Sequence, residues 1–88
     1  MMTKTWSVEI FIGEQDGSTH AEARLHTNDR TEYVATGSAR LNPADHDVPE
    51  IGDELAAARA LSALGHRLVE AAAGDIEAIT HRRAFLKD

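Results

Sequence analysis

Residues 49–73 read PEIGDELAAARALSALGHRLVEAAA, and this stretch decides the fold because its apolar residues recur with the period of a helix. Asp47 is a candidate N-cap, and Glu50 follows it at the third position, where a capping box places an acidic residue. Gly74 is typical of a residue that ends a helix, and Asp75 then begins a short extra helical segment. The sequence therefore predicts one long helix near the C-terminus.

Three runs of alternating apolar and polar residues precede this helix, at 5–12, 19–27 and 32–41. Such alternation is the period of a half-buried strand. We expect a four-residue turn at 14–17 and a three-residue turn at 28–30, with Asn28 or Asp29 in the left-handed conformation. The runs therefore predict a meander of three antiparallel strands.

Loop length predicts which residues face each other across the strands. The first turn places Ile10 opposite Ala21, and the second places Leu25 opposite Tyr33, so that apolar residues share one sheet face. The predicted class is α+β: a three-stranded antiparallel meander with one long C-terminal helix packed on one face, in the order β-β-β-α, and the short extra helical segment after it.

The bulk properties limit the classes of protein that this chain can form. Its 88 residues suit a single domain over 1–88, with an ordered core at about 4–80 and a basic tail at 81–88. A formal net charge of -6 disfavours generic nucleic-acid binding, and the lack of cysteine excludes disulfides and thiolate zinc sites. No apolar segment follows Met1 and none is long enough for a membrane span, so we expect a cytoplasmic protein with no membrane partner.

The helix carries more apolar surface than one sheet requires. Two adjacent stripes follow it, one with Ile51, Leu55 and Val69 and the other with Leu61, Leu64 and Leu68. Either the chain's end covers the second stripe with Ile76, Ile79 and Phe85, or a second copy of the protein does. The interface candidates are Leu61, Leu64 and Leu68 on the helix, with Phe11 and Val34 on the sheet.

The sequence shows no constellation typical of an enzyme or a metal protein. Glu9 is expected opposite Glu22, a like-charge pair that requires either a compensating cation or a shifted register. His20 and His26 stand roughly 20 Å apart on an extended strand, too far to share one ion. Turn formation explains the cluster Asp45-His46-Asp47. We therefore name no catalytic residue, no cofactor and no metal ligand, and predict that the protein is not an enzyme.

Three segments carry a resemblance to a known family: ARLNPAD at 39–45, IGDELAAARALS at 51–62 and DIE at 75–77. They resemble a small actinobacterial family of unknown function, some of whose members are associated with dormancy and hypoxia. The resemblance implies a double-stranded-RNA-binding-like fold, with a three-stranded antiparallel sheet and a long helix on one face. It also implies dimers, and an arrangement similar to that of ribosome hibernation factors.

Two functional hypotheses follow. The first is a non-enzymatic interaction module, homodimeric, acting in stress or dormancy physiology, with its own copy as the partner. The alternative is a factor associated with the ribosome or RNA, which would use five basic residues: Lys4, Arg24, Arg40, Arg82 and Arg83.

Overall fold

The computed structural model describes residues 2–30, 32–40 and 48–87. It contains a three-stranded antiparallel sheet in the order β1-β2-β3, followed by one helix. The elements are β1 (Ser7–Gln15), β2 (Ser18–His26), β3 (Glu32–Arg40) and α1 (Pro49–Thr80). The predicted α+β class and the β-β-β-α order are confirmed.

The turn between β1 and β2 is shorter than predicted. Asp16 and Gly17 alone form it, with φ angles of 51° and 76°. Positive φ at both central residues is the geometry of a two-residue type I′ turn, for which Asp-Gly is a favoured pair. Ile10 therefore pairs with Ala23, whereas the longer turn predicted Ala21 as its partner. A shift of two residues keeps every side chain on its predicted sheet face, since strand periodicity is two.

The second hairpin has the predicted register. Leu25 pairs with Tyr33, as the spacing of the two runs indicated. The left-handed residue of this loop is Arg30, with φ of 66°, and not Asn28 or Asp29. The backbone N–H of Arg30 donates to the carbonyl of Thr27 at 3.2 Å, which closes the loop with a local hydrogen bond.

Helix α1 continues through Gly74 to Thr80, so the predicted stop at Gly74 is wrong and the extra segment belongs to the same helix. One glycine costs a helix only about 1 kcal/mol relative to alanine, too little to end it here. The true end is His81, whose φ is 59° and whose N–H donates to the carbonyl of Glu77 at 2.8 Å. At the start, the N-cap position is Val48, and the predicted cap Asp47 lies outside the described residues.

The core lies between α1 and one face of the sheet, which we call the inner face. Its buried members are mostly alanine: Ala21, Ala23, Leu25, Ala35, Ala39, Ala56, Ala60 and Leu64. Small side chains let the helix approach closely, and the backbone of Gly37 lies directly under Ala56 and Ala60. Of the two predicted apolar stripes, Leu64 lies in this core, whereas Ala56 and Ala60 belong to neither stripe.

The helix is longer than the sheet it covers. Thirty-two residues span about 48 Å at 1.5 Å per residue, whereas the nine residues of each strand span roughly 30 Å. The radius of gyration is accordingly 16.5 Å, above the about 12 Å expected of a compact chain of this length. Within the described ranges, no helix has the combination of length and hydropathy that a membrane crossing requires.

Candidate interaction surface

Strand β1 is left uncovered by the helix. Helix α1 packs on β3 and β2 and scarcely reaches β1, and all nine β1 residues are exposed. The register pairs three of them with buried β2 residues: Val8 with Leu25, Ile10 with Ala23 and Ile12 with Ala21. These apolar side chains therefore lie on the inner face, yet they are 38 to 45% exposed. With Trp6, which is 53% exposed, we call them the β1 strip (Trp6, Val8, Ile10 and Ile12).

The opposite edge of the sheet, along β3, is closed by two arginines of the helix. Arg59 donates from Nη1 to the carbonyl of Ser38 at 2.7 Å, and Arg67 donates from Nη1 to the carbonyl of Val34 at 2.8 Å. These carbonyls point away from β2, and edge carbonyls of this kind are available to pair with another strand. The arginines satisfy them from within the chain, so the two edges of the sheet differ.

Leu61 lies on the side of the helix that faces the bare strand. Arg59 reaches the outer edge of β3, and two residues along a helix turn the side-chain direction by about 200°. Leu61 therefore points toward β1, and it is 44% exposed. Leu64 is 3% exposed within the chain's own core, and Leu68 packs partly buried against it. Of the three predicted helix contacts, Leu61 alone presents a large free surface.

The end of the chain does not seal the β1 strip. Ile79 and Phe85 are each 80% exposed, whereas a covering tail would bury them. The segment turns back locally, with the N–H of Ala84 donating to Oε1 of Glu77 at 2.8 Å. Arg83 stacks over the Phe85 ring at 5.3 Å from its centroid. The alternative in which Ile76, Ile79 and Phe85 cover the apolar surplus is therefore wrong.

The outer face of the sheet is polar and internally paired. The shifted register sets Glu9 opposite Arg24, so the predicted Glu9 and Glu22 pair does not form. Arg24 binds Glu22 at 2.7 Å and Glu32 at 3.6 Å. The hydrogen bond to Glu22, and then its charge, raise the pKa of Arg24 further above its ordinary value. The predicted contacts Phe11 and Val34 lie on this face, and Arg24 stacks over the Phe11 ring at 5.4 Å.

The five basic candidates do not gather into one patch. Arg24 is occupied by two carboxylates. Arg40 pairs with Ser18 at the turn end of the sheet, whereas Lys4 precedes β1 at the other end, more than roughly 25 Å away along the strands. The remaining two, Arg82 and Arg83, follow the end of α1.

The described residues hold no cluster of side chains suited to a metal ion. Among them, no three histidine, aspartate or glutamate side chains come close enough to hold an ion. His66 contacts Glu70 at 3.4 Å on the helix surface, and the cluster 45–47 lies outside the described residues. A groove of about 610 Å³ lies beside the Asp16–Gly17 turn, where Val48, Ile51 and Leu55 supply apolar walls.

Comparisons with known proteins identify relatives over nearly the whole chain. The family model described as Rv2632c-like matches residues 4–85. The uncharacterized protein Mb1767 of Mycobacterium bovis is 56% identical over 81 residues, covering 92% of this chain and 85% of the relative. The uncharacterized protein Rv2632c of Mycobacterium tuberculosis is 49% identical over 79 residues, covering 90% and 84%. A crystal structure of Rv2632c superposes with a TM-score of 0.83 at 46% identity, covering 93% of this chain and 96% of that one.

Proposed function

Since the chain belongs to the Rv2632c-like family, a family of unknown function, we propose that it is a non-enzymatic interaction module whose partner is a second copy of itself. The observation that carries this proposal is the β1 strip. Its four apolar side chains lie on the inner face, where α1 leaves them 38 to 53% exposed. Contiguous apolar surface of this kind marks interaction sites in folded proteins.

A thin core adds to this argument. The buried cluster consists of six alanines and two leucines, and large aromatic side chains are not among them. Small domains with little buried apolar area commonly gain stability from oligomerisation. A second copy covering the β1 strip would supply the burial that the single chain lacks.

A role in stress or dormancy, and a double-stranded-RNA-binding-like classification of the fold, belong to the same proposal. Their support is the resemblance of residues 39–45, 51–62 and 75–77. A cytoplasmic location is proposed with them.

Ribosome or RNA association is the weaker candidate. Binding to phosphate backbones requires cations that are free and close together. Here Arg24 is neutralised by Glu22 and Glu32, and the other candidates are spread over both ends of the sheet and the chain's end. The first turns of α1 carry Glu50 and Glu54, which add negative charge. Duplex RNA titrated at low salt is expected to show no binding, and a tight, salt-dependent complex would favour this candidate instead.

Sedimentation equilibrium of the purified chain tests the main proposal. The chain has a mass of 9.6 kDa, and we expect about twice that value at micromolar concentration. Dilution should move the mass toward that of the monomer by mass action. A mass of 9.6 kDa at every concentration would remove self-association.

A further inference from the structure

We propose that two copies join edge to edge through antiparallel pairing of their β1 strands, giving one continuous six-stranded sheet with both helices on the same face. This inference rests on the proposed self-association and specifies its geometry. The same strand serves both copies, as an interface with two-fold symmetry requires.

The hydrogen-bond pattern shows which β1 groups face the open edge. The carbonyls of Val34 and Ser38 point away from β2, since Arg67 and Arg59 bind them. Along an antiparallel strand, the backbone N–H and C=O groups of successive residues alternate between the two sides of the strand. Two directly opposed residues direct these groups either toward each other or away from each other. Val34 is directly opposite Arg24, so the backbone N–H and C=O of Arg24 point toward β1. Glu9 is opposite Arg24 on the other side, and its backbone groups therefore point toward β2.

The even-numbered residues of β1 alternate with Glu9 and therefore direct their backbone groups toward the open edge. Val8, Ile10 and Ile12 present free N–H and C=O groups to the edge, and the same residues carry the exposed apolar side chains of the β1 strip. One strand thus offers a hydrogen-bonding edge and an apolar inner face together. An open edge whose central outward-directed residues are apolar is a template for a further strand.

Charge narrows the position of the two-fold axis. Strand β1 carries two charged residues, Glu9 and Glu14. An axis at Glu9 would set two glutamates directly opposite each other, which is destabilising. An axis at Ile10 places Val8 opposite Ile12 of the other copy, and an axis at Phe11 places Ile10 opposite Ile12. Both keep apolar side chains together at the centre of β1, so we place the axis at one of these two residues.

The available area is adequate for a dimer. The β1 strip with Phe11 and Leu61 comprises six large side chains that are 38 to 53% exposed. They present roughly 500 Å² of apolar surface, from the area that such side chains bury. A standard interface buries about 800 Å² on each partner, and the backbone and polar side chains of β1 supply the rest.

The geometry also disfavours assembly beyond two copies. After β1 pairs with β1, the outer strands of the six-stranded sheet are the two β3 strands. Two outward carbonyls on each β3, those of Val34 and Ser38, are already bound by Arg67 and Arg59 from the helix above. A third copy therefore meets a partly occupied edge, where it can form fewer hydrogen bonds than at β1.

A charge-insertion pair tests the strand pairing. Ile10→Lys places an ammonium group at the centre of the proposed contact, where lysine blocks edge pairing. Ile79→Lys is the matched control, because Ile79 is 80% exposed at the far end of α1. We expect sedimentation to give a monomer for Ile10→Lys, with unchanged far-ultraviolet circular dichroism, and a dimer for Ile79→Lys.

Spin labels measure the geometry in the otherwise unsubstituted protein, which has no cysteine of its own. At 3.3 Å per residue, labels on Glu9→Cys should lie within roughly 15 Å of each other across the dimer, and labels on Gln15→Cys roughly 25–35 Å apart. Equal distances at the two positions would overturn the antiparallel arrangement, and nearer labels at Gln15 than at Glu9 would overturn an axis at Ile10 or Phe11.

The outcomes separate this inference from the proposed function. A wild-type chain that is monomeric removes both. A wild-type dimer that survives Ile10→Lys keeps self-association and overturns pairing through β1, whatever the state of Ile79→Lys.

Discussion

Gly37 of β3 lies against the backbone of Ala60 of α1, so closely that no side chain fits between them. A Cβ atom built on Gly37 would stand 2.3 Å from the backbone nitrogen of Ala60 and 2.6 Å from the carbonyl oxygen of Ala56. Backbone atoms cannot move aside as the end of a flexible side chain can. This contact fixes the height of the helix above β3, and with it the reach of the helix over the rest of the sheet.

Gly37→Ala should destabilise the protein strongly, because the added methyl group forces the helix away from its alanine contacts. We expect a loss of roughly 3 kcal/mol in the free energy of unfolding, at the upper end of overpacking costs. Gly13→Ala is the control, since within the described residues nothing lies within 4 Å of its Cβ position. Urea unfolding at fixed protein concentration measures both, and equal stabilities would contradict the close contact.

Leu61→Asp should weaken the dimer, because it places a charge beside the apolar β1 strip. Leu55→Asp is a matched control: both leucines are 44% exposed on one helix, but Leu55 lies on the Arg59 side. We expect the dimer dissociation constant to rise at least tenfold for Leu61→Asp, about 1.4 kcal/mol, and little for Leu55→Asp. The reverse order in sedimentation equilibrium would move the contact to the other side of the helix.

The double variant Arg59→Met, Arg67→Met should open the β3 edge. Each lost hydrogen bond costs about 1 kcal/mol of stability, and the freed carbonyls can accept from another chain. We expect species larger than a dimer in light scattering. Arg82→Met with Arg83→Met removes the same charge from the chain's end and should leave the size unchanged. Species larger than a dimer in both double variants would show that the lost charge, and not the opened edge, causes the assembly.

Arg24→Met should lower the melting temperature at low salt. The substitution leaves Glu22 and Glu32 without their shared cation on an exposed face. Salt screens the remaining repulsion, so the difference from the wild type should shrink as ionic strength rises. The raised pKa of Arg24 keeps it charged through the accessible range, and the wild-type contribution should not depend on its titration. A melting-temperature difference that is independent of salt would contradict this account.

The element order was predictable from the sequence because strand alternation and helix periodicity are both strong here. The first register was not, because Gly13 and Gly17 both suit turns and a loop of four residues gives the same face parity as one of two. The end of the helix was missed because Gly74 resembles a stop, whereas this helix ends where His81 adopts the left-handed conformation.

The candidate surface was only partly predictable, for a physical reason. Leucines are the most prominent residues in a hydrophobic pattern, so the sequence predicted Leu61, Leu64 and Leu68 as the apolar surface that the sheet leaves uncovered. Close packing selects small residues instead, and Ala56, Ala60 and Gly37 place the helix over β3 and β2. The uncovered apolar surface therefore lies on β1. The sequence of that strand alone does not show that the helix leaves it exposed. Alanines four residues apart on the helix were the available signal.

Amide hydrogen exchange of β1 tests the account most directly. Val8, Ile10 and Ile12 direct their N–H groups to the open edge, whereas Glu9 and Phe11 direct theirs to β2. At concentrations where the dimer forms, all five amides should be protected, and dilution should release the first three alone. Fast exchange at Val8, Ile10 and Ile12 at every concentration, in a chain that still dimerises, would contradict β1 as the contact.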